Sequence, residues 1–110
     1  MNIAELTIGQ VQEIKQMFGK CEIAQNGPWQ VGKNYLVRTV TMSNSGRLVA
    51  VYPMELVFED AAWIADTGRF HDNLKSCVFN EVEPFIDKVI IGRSAVIDAT
   101  IIDKLPTKQK

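Results

Sequence analysis

From Tyr35 onward the chain is a succession of short runs rich in β-branched and aromatic residues, each closed by Gly, Pro, Ser or Asn, and nothing else in it limits the fold so strongly. Side chains branched at Cβ lose rotamer freedom in a helix but pack well on a pleated surface, so such runs between turn formers read as strands. Tyr35-Leu36-Val37-Arg38-Thr39-Val40-Thr41 is the first run, Ser43-Asn44-Ser45-Gly46 predicts a turn, and Leu48-Val49-Ala50-Val51-Tyr52 predicts the return strand of a hairpin. Pro53 interrupts; Leu56-Val57-Phe58-Glu59-Asp60 resumes the extended pattern and Ala61-Ala62-Trp63-Ile64 continues it. Asp66-Thr67-Gly68-Arg69 predicts a turn and residues 70–75 one short helical turn. Strands are expected at 78–83, 89–91 and 96–102, with Gly92-Arg93-Ser94 turning between the last two.

One helix precedes this β body. Thr7 is its N-cap, Gln10 returns the bond, and Leu6 and Val11 sit where a hydrophobic staple closes. Val11, Ile14 and Phe18 share a face and Gly19 stops the helix, which is expected over 8–18. At 110 residues the chain fits a single domain spanning 1–110, with the β body over 35–102 and a polar, frayed tail over 103–110. The expected fold is therefore mainly β with one N-terminal helix.

Charge and cysteine usage narrow the function classes. Twelve basic against thirteen acidic side chains give a net charge of −1, where proteins that coat duplex DNA carry a clear basic excess. Cys21 and Cys77 lie far apart without a CxxC companion, and a reduced pair in an intracellular protein is preferred over a disulfide. The N-terminus has no basic n-region and no apolar run of membrane-spanning length, so the expected location is cytoplasmic.

Catalytic and metal chemistry find little support. His71 is the only histidine, too few for a zinc site built with two isolated cysteines or for a nucleophile–histidine arrangement, and it reads as a surface residue. Glu59 and Asp60, adjacent on a strand, point to opposite faces unless the chain bends there, and read as solvated charges. The glycines at 27, 32, 46, 68 and 92 form no phosphate-binding fingerprint. No enzyme, cofactor or metal is expected.

Two stretches resemble known groups. Gly46-Arg47-Leu48, Met54-Glu55 and Leu56-Val57-Phe58-Glu59-Asp60-Ala61, followed by Arg93-Ser94 and Ile97, resemble the two motifs of the Sm-like superfamily of small ring-forming RNA-binding domains. The likeness covers roughly residues 46–61 and 89–102, with Glu55 in place of the base-holding asparagine, Ser94 in place of glycine, and residues 63–88 as a long insertion. It implies a small, strongly bent sheet or barrel of Sm-like type and a homo-oligomer, with a ring as one form, in which Arg93 and Met54-Glu55 gather around an axis or subunit contact. Residues 56–70 together with Glu81-Val82-Glu83-Pro84-Phe85 resemble an uncharacterised group of small phage and prophage proteins, which implies a mobile-element origin.

The candidate ligand-binding residues are Arg93, Arg69, Thr67, Trp63, Tyr52 and Ser94, because arginine grips phosphate through a planar fork and an aromatic face stacks a base. Three of them have a structural alternative: Trp63 in the core, Arg69 paired with Asp66 or Asp72, Arg93 paired with Asp98. The leading expectation is a non-enzymatic homo-oligomer of phage type that binds a small nucleotide or other anionic signalling ligand, an anti-defence use. The alternatives are an Sm-like single-stranded RNA binder, which the carboxylate of Glu55 disfavours, and a virion or assembly component without a small ligand. No membrane partner is expected.

Overall fold

The computed structural model describes residues 27–110; the helix expected over 8–18 and Cys21 lie outside the described residues. Six strands form one antiparallel sheet: β1 (Asn34–Thr39), β2 (Ser43–Val51), β3 (Glu55–Asp66), β4 (Glu81–Pro84), β5 (Val89–Gly92) and β6 (Val96–Ile101). A helix, α1 (Phe70–Ser76), connects β3 to β4, and a single 3-10 turn, Arg93–Ala95, connects β5 to β6. The order across the sheet is β4-β3-β2-β1-β6, and the first half of the long β3 pairs with β5 on the edge that its second half gives to β4.

That order forces the sheet to curl. Laid flat, β5 and β6 would stand four strand spacings apart, roughly 19 Å. Only three residues separate them in the chain, and these cover at most about 14 Å even when extended. The two edges must therefore bend toward one another. Their side chains meet on the concave face, where Val89 and Ile91 of β5 and Val96 and Ala99 of β6 pack with Tyr35, Val37, Leu48, Leu56 and Phe58. No ladder joins β5 to β6, so the sheet is strongly bent but open, and the barrel alternative is not met. The convex face has its own core: Leu36, Ala62, Ile64, Cys77, Phe79, Val82 and Ile102, covered by Leu74 of α1 and by Leu105.

A bulge in β3 lets one strand serve both cores. Ser45 pairs with Ala62 and Arg47 with Glu59, so Asp60 and Ala61 together face Gly46. Asp60 takes the left-handed conformation (φ 49°) that the extra residue requires. The alternation flips there: Leu56, Phe58, Ala61 and Trp63 share the concave side, Ala62 and Ile64 the convex. Glu59 and Asp60 consequently do not diverge as a regular strand would make them, and both carboxylates bond the guanidinium of Arg47, at 3.1 and 2.6 Å.

Three other expectations are corrected. Ser43-Asn44-Ser45-Gly46 is strand, not turn; the hairpin closes earlier, where the Thr39 N–H donates to the Met42 carbonyl (2.8 Å). The reason lies at Gly46, where a Cβ would stand 2.8 Å from Cβ of Phe58: this glycine is selected by close packing rather than by a turn. The strand expected over 78–83 is shorter and later, since β4 begins at Glu81 and Phe79 instead plugs the convex core. The tail is not frayed, because Val82 and Lys110 exchange both backbone hydrogen bonds at 2.9 Å and the Gln109 amide donates to Glu83.

Candidate functional site

The six residues singled out in the sequence fall into two groups at opposite ends of β3. At its start, the turn Tyr52–Glu55 meets the Arg93–Ala95 turn. The Arg93 N–H donates to the Met54 carbonyl (2.9 Å), and Nη1 of the same residue donates to the Tyr52 carbonyl (3.0 Å). The β3–β5 ladder fixes this junction, pairing Glu55 with Gly92. Arg93 is half-buried, Tyr52, Met54 and Ser94 are exposed, and no carboxylate among the described residues lies within ion-pair reach of Arg93. The Arg93–Asp98 pair is thus corrected: Asp98 belongs to Arg38.

At the other end of β3, the Asp66-Thr67-Gly68-Arg69 segment is held from within. The Gly68 N–H donates to Oδ1 of Asp66 (2.8 Å), the Thr67 hydroxyl donates to the Gly68 carbonyl (3.1 Å), and the Asn73 amide donates to the Thr67 carbonyl. Gly68 has φ 72° and a Cβ there would collide with Asn73 and Asn80, so the turn demands glycine on both counts. Arg69 is exposed and 3.6 Å from Asp72, its intrahelical neighbour; Asp66 is not its partner. Thr67 and Arg69 are accounted for by the turn and by the start of α1. Trp63 sits on the concave face but 42% exposed, not in the core.

One cavity was not legible in the sequence. It is a groove of about 570 Å³ along β6, walled by Trp29, Tyr35, Val96, Ile97, Ala99 and Ile101 and touched by Asp98 and Thr100. The Trp29 and Tyr35 rings pack at a tilt of 57° with centroids 5.1 Å apart, and Tyr35 meets Phe58 edge to face. The Tyr35 hydroxyl accepts the Gln30 N–H (2.9 Å), which fixes the ring in the wall. The groove begins at Val96, three residues after Arg93 in the chain; Arg93 itself does not line it, and the β1–β6 register sets Tyr35 opposite Ile101, at the groove's other end. Pro28-Trp29, a rigid residue before an aromatic one, was the available signal for this wall.

Behind the groove Arg38 ties three elements together. Its guanidinium makes a two-pronged ion pair with Asp98 of β6 and lies 4.9 Å from the ring centroid of Phe70 in α1. Hydrogen bonding to Arg38, reinforced by its charge, holds the Asp98 carboxyl below the usual range, and Asp98 in turn raises Arg38. Hydrogen bonding to Asp60 raises Arg47 likewise. His71 is exposed on α1, and among the described residues no group of three or more His, Cys, Asp or Glu side chains is placed to hold a metal ion. No helix of the described residues is long and apolar enough to cross a membrane.

No family model, no curated protein and no solved structure matches the chain.

Proposed function

We propose that the chain is a non-enzymatic, homo-oligomeric binding protein that holds a small anionic ligand, a nucleotide in the first instance, with its phosphate on Arg93 and its base in the groove that starts at Val96. The observation that carries this reading is the state of Arg93. One arm of its guanidinium is fixed by the Tyr52 carbonyl, no carboxylate among the described residues neutralises it, and three residues on in the chain an apolar groove begins at Val96. A planar fork held this way is preorganised for phosphate, and an apolar groove suits a base. The groove's one carboxylate, Asp98, is already ion-paired to Arg38, so it repels an anion little.

The outer edges of β5 and β6 favour self-association: among the described residues no strand pairs with them, and they carry Ile90, Ile97 and Ile101, which are 65%, 65% and 48% exposed. A strongly bent sheet with a short Arg-bearing turn is in keeping with Sm-like architecture. The likeness of residues 56–70 to phage proteins makes sequestration of a host signalling nucleotide, an anti-defence role, the use we assign to the site.

Thermal shift with a panel of nucleotides, with ribose 5-phosphate as the base-free control, tests this. Nucleotides raise the melting temperature, and Arg93→Ala weakens binding about ten- to a hundred-fold, the equivalent of roughly 1.5–3 kcal/mol for one charge-assisted contact. Arg93→Lys keeps charge without the fork; affinity fully retained by Lys overturns bidentate recognition. A panel without response, beside an oligoribonucleotide whose affinity falls steeply with salt, replaces the reading with single-stranded RNA binding. No response to either leaves a virion or assembly role.

A further inference from the structure

The concave face carries a second arrangement that the Arg93 turn does not use. The registers of β2, β3 and β4 set Asn44, Trp63 and Glu83 directly opposite one another, in that order across three strands. Opposed residues on one face have Cβ atoms about 4.5–5.5 Å apart, so the three side chains form one continuous row. Each shows an unmet capacity. The Trp63 indole is 42% exposed. Glu83 is exposed, accepts only the neutral Gln109 amide (3.2 Å), and has no cationic partner among the described residues. Asn44 is 5% exposed and its Oδ1, shut off from water, has no donor among the described residues.

We propose that Asn44, Trp63 and Glu83 form a recognition site for a planar cation, a guanidinium group. What the three offer in common is acceptance: a π face, a carboxylate and an amide oxygen. A guanidinium answers all three at once, since its flat face stacks on indole and its in-plane N–H groups reach acceptors on either side. A phosphate is repelled by Glu83, so the site does not duplicate Arg93. An alkylammonium is attracted but has no plane to stack. Reaching Oδ1 requires movement of what covers it, and the half-exposed indole is the neighbour with room to move.

The sequence around Asn44 supports a functional reading. Ser43, Asn44 and Ser45 are weak strand formers in a strand flanked on both sides, and both Asn44 and Ser45 bury an oxygen with no partner among the described residues. Positions where a sequence opposes its own fold, at a cost in stability, are where function is sought.

Tryptophan emission of the full chain, titrated at constant ionic strength with N-acetyl-arginine amide, N-acetyl-lysine amide and methylguanidinium, tests the proposal. The arginine compound is expected to half-saturate at a concentration at least tenfold below the lysine compound. Trp63→Phe abolishes the signal, Glu83→Gln weakens binding about tenfold, and Arg93→Ala changes nothing, which separates this site from the anion site. Asn44→Val is the decisive variant: it raises the melting temperature and removes the preference for arginine over lysine. Tighter binding of the acetylated arginine than of methylguanidinium assigns the site to a protein partner's side chain, the reverse order to a small compound. Equal responses to arginine and lysine on the unmodified protein overturn the proposal without any variant, and a preference that survives Asn44→Val marks Asn44 as a packing defect.

Discussion

Gly46 shows how one residue can be read correctly in type and wrongly in role. Next to Asn and Ser it signals a turn, yet its missing side chain makes room for Phe58 against β2. Gly46→Ala is expected to lower stability by about 1–3 kcal/mol through overpacking, measurable by urea unfolding. A turn glycine with a negative φ would tolerate alanine, so an unchanged midpoint contradicts the packing role. Arg38 and Asp98 make a second case at this scale. Because the folded-state pKa of Asp98 is depressed by Arg38, the pair contributes stability above the unfolded carboxylate pKa, and that contribution is lost as pH falls through the folded value. Melting temperature should therefore drop on acidification, and Asp98→Asn should flatten part of that acid limb while lowering the plateau at neutral pH. Identical acid limbs for the two proteins would show that the pair adds nothing. Both side chains are about half exposed, so the effect is small.

Elements here were legible where local chemistry and tertiary demand agree. β1, β3, β5 and β6 lie where runs of Val, Ile, Leu and aromatic residues place them, and α1 covers the expected helical turn. The sequence failed where long-range pairing decides. The C-terminal segment is polar, with Pro106 and two lysines, and by composition it frays. It is ordered because Leu105 anchors it to the convex core and Lys110 then meets the open edge of β4. Removing residues 106–110 deletes two main-chain hydrogen bonds and uncovers part of Phe79 and Val82, with an expected loss of about 1–3 kcal/mol. Thermal unfolding of the truncated chain checks this: a melting curve superposable on that of the full chain would mean the segment adds nothing.

At the scale of the whole molecule, curvature brings the candidate site together. Arg93 lies 41 residues from Tyr52, and their hydrogen bond exists because the β5–β6 turn crosses the mouth of the curled sheet. The same curl leaves two edges unpaired among the described residues, and native mass measurement is expected to find an oligomer; a particle of monomer mass at micromolar concentration removes the basis for subunit contacts near the site. Composition and strand-forming runs, by themselves, determined that this is a mainly β chain with a short helix near its middle and an Arg-bearing turn before its last strand. Those features depend on backbone preference and on the spacing of apolar side chains, which are properties of neighbours in sequence. Which residues share a face, which edge the tail covers, which acid Arg38 or Arg93 faces, and where the groove opens were decided by the tertiary structure. A single bulge at Asp60 reverses the facing of every residue after it in β3, and no local preference records that reversal.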